Sequence, residues 1–174
     1  MKQNSCLLLA VAVVAVVLAF GTRASRAADE EAAPIFVTTI PNGYRDWRLI
    51  SVAREEGNLD DIRAVLGNNK AIASYRKGKV SFPDGTIIAR LAWSYERSEE
   101  NNRAFGGSQS FVAGHPKNGV QFMVKDSRKY ASTGGWGFAH FDDGKSAHEA
   151  VLKTCFPCHQ AVAARDFVFT RYAP

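Results

Sequence analysis

The 174-residue chain carries 22 lysine and arginine residues against 17 aspartate and glutamate residues, which gives a net charge of +5, and it has three cysteines. No cluster of basic residues lies on a predicted helix or strand, so the charge does not indicate a nucleic-acid partner. The length suits one domain that can bury a core without the help of disulfide bonds.

The amino terminus predicts export. Lys2 precedes an unbroken apolar run over residues 6–20, and Ser25 and Ala27 supply the small residues of a cleavage site. An apolar run of this length is shorter than the roughly 20 residues that a membrane-spanning helix needs, although an uncleaved anchor is the alternative. Cleavage after Ala27 removes one cysteine and lowers the net charge to +2. We expect the mature protein to be periplasmic or secreted.

The mature chain is predicted to form one domain over residues 34–174, after a disordered lead-in over residues 28–33. Short stretches rich in β-branched and aromatic residues, bounded by turn-forming residues, predict strands. These stretches cover residues 47–52, 62–66, 86–93, 109–113, 119–124 and 136–141. Strands and helices do not alternate regularly, so the sequence predicts an α+β domain around a mainly antiparallel sheet with a few short helices.

Two helices are predicted. The first covers residues 69–77, and the second begins at Ser146 and runs into Cys155. Ser146 and Glu149 have the spacing of a capping box. Pro157 limits how far the second helix can continue.

Three connecting segments complete the prediction. Residues 115–119 are rich in turn-forming residues and predict a turn between two strands. Residues 97–102 are polar and predict a solvated loop. In residues 167–172, alternate side chains would point to opposite sides of an extended chain, which predicts a final strand that closes over one side of the sheet.

The segment Cys155-Phe156-Pro157-Cys158-His159 carries the strongest chemical signal. Its spacing, C-x-x-C-H, is that of covalent c-type haem attachment, in which two thiols bind the haem and the adjacent imidazole meets the iron. A thioredoxin-like dithiol, half of a zinc site and a structural disulfide are the alternatives. A dithiol should begin a long helix after a strand, zinc needs further ligands, and a disulfide leaves the histidine unexplained.

If haem is bound, the sixth coordination position of the iron separates an electron carrier from a ligand-binding haem. Met123 is the one methionine left after cleavage, and in a strand-like segment it is more often a packing residue than a ligand. His115 and His148 are predicted to be solvated, and His140 to lie at a strand edge. These patterns favour an open sixth position.

Segments along most of the mature chain resemble the cytochrome P-460 family, which includes the cytochromes c′-beta. They are IPNGYRDW at 40–47, DIRAVLGN at 61–68, YRKGKVSFPDGTIIARLAW at 75–93, GVQFMVKDS at 119–127, GGWGFAHF at 134–141 and CFPCHQAVAARDFVFTRYAP at 155–174. The resemblance implies a secreted single-haem protein with a mostly antiparallel β fold, usually a homodimer. It also implies an iron with histidine on one side and an open position on the other.

When the functional residues of the family are matched to positions of this sequence, the resemblance implies that Cys155 and Cys158 hold one haem c and that His159 is the proximal iron ligand. In the hydroxylamine-oxidising members, a lysine is joined to the porphyrin and a glutamate lies on the distal side. By our reading, these two positions are occupied by Arg90 and Gln121.

Both differences bear on the chemistry. A guanidinium is a poor nucleophile because it stays protonated, and an amide cannot take a proton as a carboxylate does. Arg90 and Gln121 could instead polarise a bound diatomic ligand, while Phe122 restricts access to it. The structural alternatives are a surface strand residue for Arg90 and a hydrogen-bonded amide at the core edge for Gln121.

Three functions are therefore considered. The preferred one is a ligand-binding haem protein that takes nitric oxide or a similar small molecule. The second is an oxidoreductase acting on hydroxylamine or another small nitrogen compound, and the third is an electron-transfer cytochrome closed by Met123. A redox partner protein and a homodimer are further expectations.

Overall fold

The computed structural model describes residues 36–79 and 81–173. The predicted signal peptide over residues 1–27 and the lead-in over 28–33 lie outside the described residues, so both stay predictions. No helix within the described residues is long and apolar enough to cross a membrane.

The described residues form one six-stranded antiparallel sheet, in which each strand pairs with the next strand along the chain. The strands are β1 (Arg48–Glu55), β2 (Asp61–Gly67), β3 (Ile87–Arg97), β4 (Phe111–Lys125), β5 (Trp136–Asp142) and β6 (Lys145–Ser146). Antiparallel neighbours can be joined by short connections, which explains why the strand order follows the sequence. The predicted α+β class with an antiparallel sheet is confirmed.

Short helices occupy the connections and the carboxyl-terminal part of the described chain. They are α1 (Asn69–Arg76), α2 (Glu99–Phe105), α3 (Glu149–Leu152) and α4 (Cys155–Gln160), with 3-10 turns at Tyr44–Asp46, Ala131–Thr133 and Ala163–Arg165. Helix α1 matches its prediction closely. It begins where the Asn68 side chain accepts a hydrogen bond from the Ala71 amide at 3.0 Å, and Gly78 follows with a left-handed φ of 64°.

The two faces of the sheet bury separate apolar clusters. The face that we call the helical face carries Ile88, Met123 and Phe138, and α1 and the α4 region pack on it. The opposite face carries Leu91 and Phe122 and is covered by the chain between residues 37 and 47. Side chains alternate between the faces because successive strand residues point to opposite sides.

The predicted turn over residues 115–119 is wrong, because β4 runs through it as one strand of 15 residues. The pairing with β3 shifts there: Leu91 lies opposite Val120, but Trp93 lies opposite Pro116. The turn-forming residues therefore build a bulge instead of a reversal. This bulge requires a glycine at position 119, because the residue has a φ of 53° and a Cβ there would come within 2.1 Å of the Phe141 carbonyl oxygen.

The predicted starts of two helical segments also need correction. Residues 97–102 are not a loop, because the Ser98 hydroxyl accepts a hydrogen bond from the Asn101 amide and starts α2. Ser146 does not cap a helix, because it lies in β6. His148 takes that role instead, and its Nδ1 accepts from the Ala150 amide at 3.2 Å.

The predicted final strand over residues 167–172 is not formed. Phe167 has a φ of 62°, which lies in the left-handed region and is incompatible with a strand. The segment nevertheless packs on the helical face, since Val168 is buried in its cluster and the Ala173 amide donates to the Ile50 carbonyl.

Asn68 joins the start of α1 to the start of β3, because its Nδ2 also donates to the Gly85 carbonyl at 2.8 Å. We expect Asn68→Ala to lower the free energy of unfolding by about 1–2 kcal/mol, since it removes a helix cap and that tertiary hydrogen bond. Urea unfolding measures the change. Asn69→Ala, at the exposed neighbouring residue, is the control, and equal effects of the two substitutions would contradict the assignment.

Candidate haem site

Helix α4 presents two free thiols. Cys155 is half-buried and Cys158 is exposed, and neither is in a disulfide bond. A spacing of three residues places both side chains on the same side of the helix. The predicted single helix running into Cys155 is divided into α3 and α4. Pro157 lies in the first turn of α4, where the missing N–H costs no hydrogen bond.

The thiol environment does not favour a redox-active dithiol. Burial raises the pKa of the Cys155 thiol above its ordinary value, whereas reactive dithiols have lowered pKa values. The motif also follows another short helix, α3, rather than a strand. Within residues 36–79 and 81–173, no three His, Cys, Asp or Glu side chains are placed to hold a metal ion.

His159 is held with one ring nitrogen engaged. Its Nδ1 lies 2.6 Å from the Phe167 carbonyl oxygen. A carbonyl can only accept, so Nδ1 carries the proton and Nε2 keeps its lone pair. Burial lowers the pKa of His159, and the hydrogen bond to Phe167 only partly opposes this effect. The ring is therefore neutral at pH 7 and has the form that binds a metal through Nε2.

Aromatic rings fix the position of the imidazole. The His159 ring lies 5.2 Å from the Phe138 ring and 5.1 Å from the Phe169 ring, measured between centroids. Phe138 belongs to β5 and to the core of the helical face. The proximal ligand of the predicted site thus contacts the sheet directly.

Two rows of side chains cross the helical face next to that contact. In the apolar row, Ile88 lies opposite Met123, and Met123 lies opposite Phe138. Two residues further along each strand, about 7 Å away, Arg90 lies opposite Gln121 and Gln121 lies opposite His140. We call Arg90, Gln121 and His140 the polar row. The structure therefore brings together two residues matched to the distal positions, and it adds His140.

Arg90 is held by a carboxylate that sequence reasoning missed. Its Nη2 donates to Asp61 Oδ2 at 2.5 Å, and Arg63 Nε donates to Asp61 Oδ1 at 2.9 Å. Asp61 is fully buried, and the Arg90 side chain is 15% exposed. Arg90 is therefore not the surface residue of the alternative interpretation. Burial, followed by the charge of Arg63, lowers the pKa of Arg90 from its ordinary value.

Two buried nitrogens in the polar row have no hydrogen-bond partner among the described side chains: Arg90 Nη1 and His140 Nε2. Asp142 Oδ2 lies 3.4 Å from His140 Nε2, a charge-pair distance without hydrogen-bond geometry. Buried polar atoms are nearly always satisfied. These two atoms therefore point to a bound group in this region.

The expectation that Phe122 restricts access to the polar row is wrong. It lies on the opposite face of the sheet, is 2% exposed, and packs edge-on against Tyr44 and Phe141. Its neighbours Gln121 and Met123 point to the helical face because strand residues alternate. His115 and His148 are exposed, as predicted.

The helix on one face of the antiparallel sheet carries the Cys-x-x-Cys-His spacing that is typical of c-type haem cytochromes. A family model described as Cytochrome P460 matches residues 41–170, and the chain belongs to this family. Haem binding follows from the membership, and the two thiols and the imidazole of α4 fit a haem. No curated protein matches the chain.

We expect Asp61→Asn to lower the free energy of unfolding by about 3 kcal/mol, because it leaves the largely buried Arg90 guanidinium without its carboxylate and Arg63 with the exposed Glu55 alone. Asp60→Asn is the matched control, since Asp60 pairs with Arg54 at the surface, where an ion pair contributes at most about 1 kcal/mol. Urea unfolding compares the two variants. Equal losses would contradict the burial of Asp61 between two arginines.

Proposed function

We propose that the protein is an exported c-type mono-haem cytochrome that binds nitric oxide or a similar small ligand. Cys155 and Cys158 would form the thioethers, and His159 would be the proximal iron ligand. The observation that carries the proposal is the hydrogen bond from His159 Nδ1 to Phe167, which leaves Nε2 as a neutral metal ligand. Covalent haem attachment requires export, which the predicted signal peptide would provide.

When bound, the haem would supply an iron coordination position for a small neutral ligand. The packing of Met123 supports an open position. Met123 is 9% exposed and lies between Ile88 and Phe138 in the apolar row. Core packing is therefore enough to explain this methionine, as it is for most buried methionines.

Arg90 is the residue best suited to stabilise a small ligand. Its Nη2 is fixed by Asp61, while its buried Nη1 has no described partner. A donor that is already oriented loses little freedom when it makes a hydrogen bond, and a charged donor makes a stronger one. Gln121, which lies opposite Arg90 on the neighbouring strand, adds a second donor through its side-chain amide.

A second candidate function is the oxidation of a small nitrogen compound, and one observation favours it. His140 Nε2 lies in the polar row without a hydrogen-bond partner among the described residues. An imidazole nitrogen is able to act as a general base, a role that Arg90 and Gln121 cannot fill. Hydroxylamine turnover well above that of free haem, lost in His140→Gln, would favour this function over ligand binding alone.

The exported protein should give the absorption spectrum of a high-spin haem that changes on addition of nitric oxide. Met123→Leu should leave this spectrum unchanged, because Met123 packs in the core and does not bind the iron. A low-spin, six-coordinate spectrum that Met123→Leu converts to high-spin would instead support the electron-transfer function.

Arg90→Leu should raise the dissociation constant for nitric oxide about tenfold, or ~1.4 kcal/mol, because it removes a charged hydrogen-bond donor. Arg63→Leu is the matched control, since it also deprives Asp61 of a guanidinium but lies outside the polar row. Stopped-flow spectroscopy measures both constants. Equal effects of the two substitutions would mean that the change arises from loss of the ion pairs.

A further inference from the structure

The residues after α4 adopt an unusual backbone conformation. Asp166 has a φ of 52° and Phe167 has a φ of 62°, so two consecutive residues with side chains lie in the left-handed region. This region is unfavourable for residues other than glycine, and such residues persist only where surrounding contacts hold them. We call these two residues the left-handed turn.

The contacts that hold the left-handed turn come from Asp166. Its Oδ1 accepts from Lys125 Nζ at 2.6 Å and from Trp136 Nε1 at 3.2 Å, and its Oδ2 accepts from the Phe82 amide at 2.8 Å. The Asp166 side chain is 12% exposed and that of Lys125 is 10% exposed. Because the three donors belong to β4, β5 and the chain after α1, the carboxylate ties the turn to the sheet.

The ring of Phe167 is fixed as well. A Cβ on Gly134 would come within 2.1 Å of this ring, so the ring lies directly against the glycine backbone. The Gly134 carbonyl also accepts from Lys125 Nζ at 2.9 Å. Lys125 therefore holds both the carboxylate before Phe167 and the surface on which the Phe167 ring packs.

The consequence reaches the proximal histidine. The Phe167 carbonyl oxygen accepts the hydrogen bond from His159 Nδ1. Such a hydrogen bond fixes the ring orientation and increases the basicity of the other ring nitrogen, which binds the metal. The strength of this bond depends on where the left-handed turn places the carbonyl.

We propose that Asp166 is a positioning residue that sets the donor strength of His159 toward the iron, acting through the Phe167 carbonyl. This inference rests on the proposed function, because it requires a haem iron on His159. A well-placed carbonyl makes the imidazole a stronger donor, which stabilises the ferric state and strengthens the iron–histidine bond.

The test uses the purified holoprotein and the isosteric substitution Asp166→Asn. It removes the charge paired with Lys125 and leaves Cys155, Cys158 and His159 unchanged. We expect a higher reduction potential and a lower iron–histidine stretching frequency in the ferrous protein, measured by spectroelectrochemistry and resonance Raman spectroscopy. Lys125→Met should shift both readouts in the same direction, since it removes a donor to Asp166.

Asp84→Asn is the matched control. Asp84 also accepts hydrogen bonds from a backbone amide and a side chain, both of Ser127, but it does not contact the left-handed turn. Both readouts should stay at their wild-type values in this variant.

The outcomes separate this inference from the proposed function. Wild-type protein without haem on His159 overturns the proposed function, and the inference falls with it. Wild-type haem binding with an unchanged potential and stretching frequency in Asp166→Asn overturns the inference alone. Failure of both Asp166→Asn and Lys125→Met to retain haem also overturns it, since these residues would then serve folding rather than positioning.

Discussion

The hydrogen bond between His159 Nδ1 and the Phe167 carbonyl is the contact on which the rest of the site depends. It joins α4, which carries both thiols, to a segment that Asp166 ties to the sheet. An imidazole without this bond could turn about its side-chain torsions, and either nitrogen could carry the proton. With it, the ring has one orientation relative to Phe138, and one tautomer has its lone pair on Nε2.

The polar row is the second constraint, and its energetics argue for function. A buried ion pair such as Asp61–Arg90 contributes little net stability, because desolvation offsets most of the attraction, and well-packed apolar residues often do as well or better. Arg90 Nη1 and His140 Nε2 add the cost of unsatisfied buried nitrogens. A sheet selected for stability alone would extend the apolar row of Ile88, Met123 and Phe138 into these positions. The polar row therefore agrees with a bound group beside the helical face.

The sequence predicts those features of the site that depend on neighbouring residues in the chain better than those that depend on pairing between strands. The C-x-x-C-H spacing and the strand patterns depend on near neighbours, and the antiparallel sheet and family membership are confirmed. The alignment of Arg90, Gln121 and His140 depends on register between strands, which a bulge in β4 shifts and which no single strand encodes. The expected role of Phe122 was wrong although the alternation of β4 already places this residue on the face opposite Gln121. The role of Asp61 was missed because this residue lies at the start of β2. A charged residue directly before an apolar run could have indicated a buried ion pair.

Intact mass spectrometry of the exported protein under denaturing conditions tests the central claim most directly. A haem joined through the two sulfur atoms of α4 stays with the polypeptide after unfolding, so the account predicts one species heavier than the processed chain by the mass of one haem. A chain at its bare mass, or lighter by the two hydrogens that a disulfide loses, would contradict it.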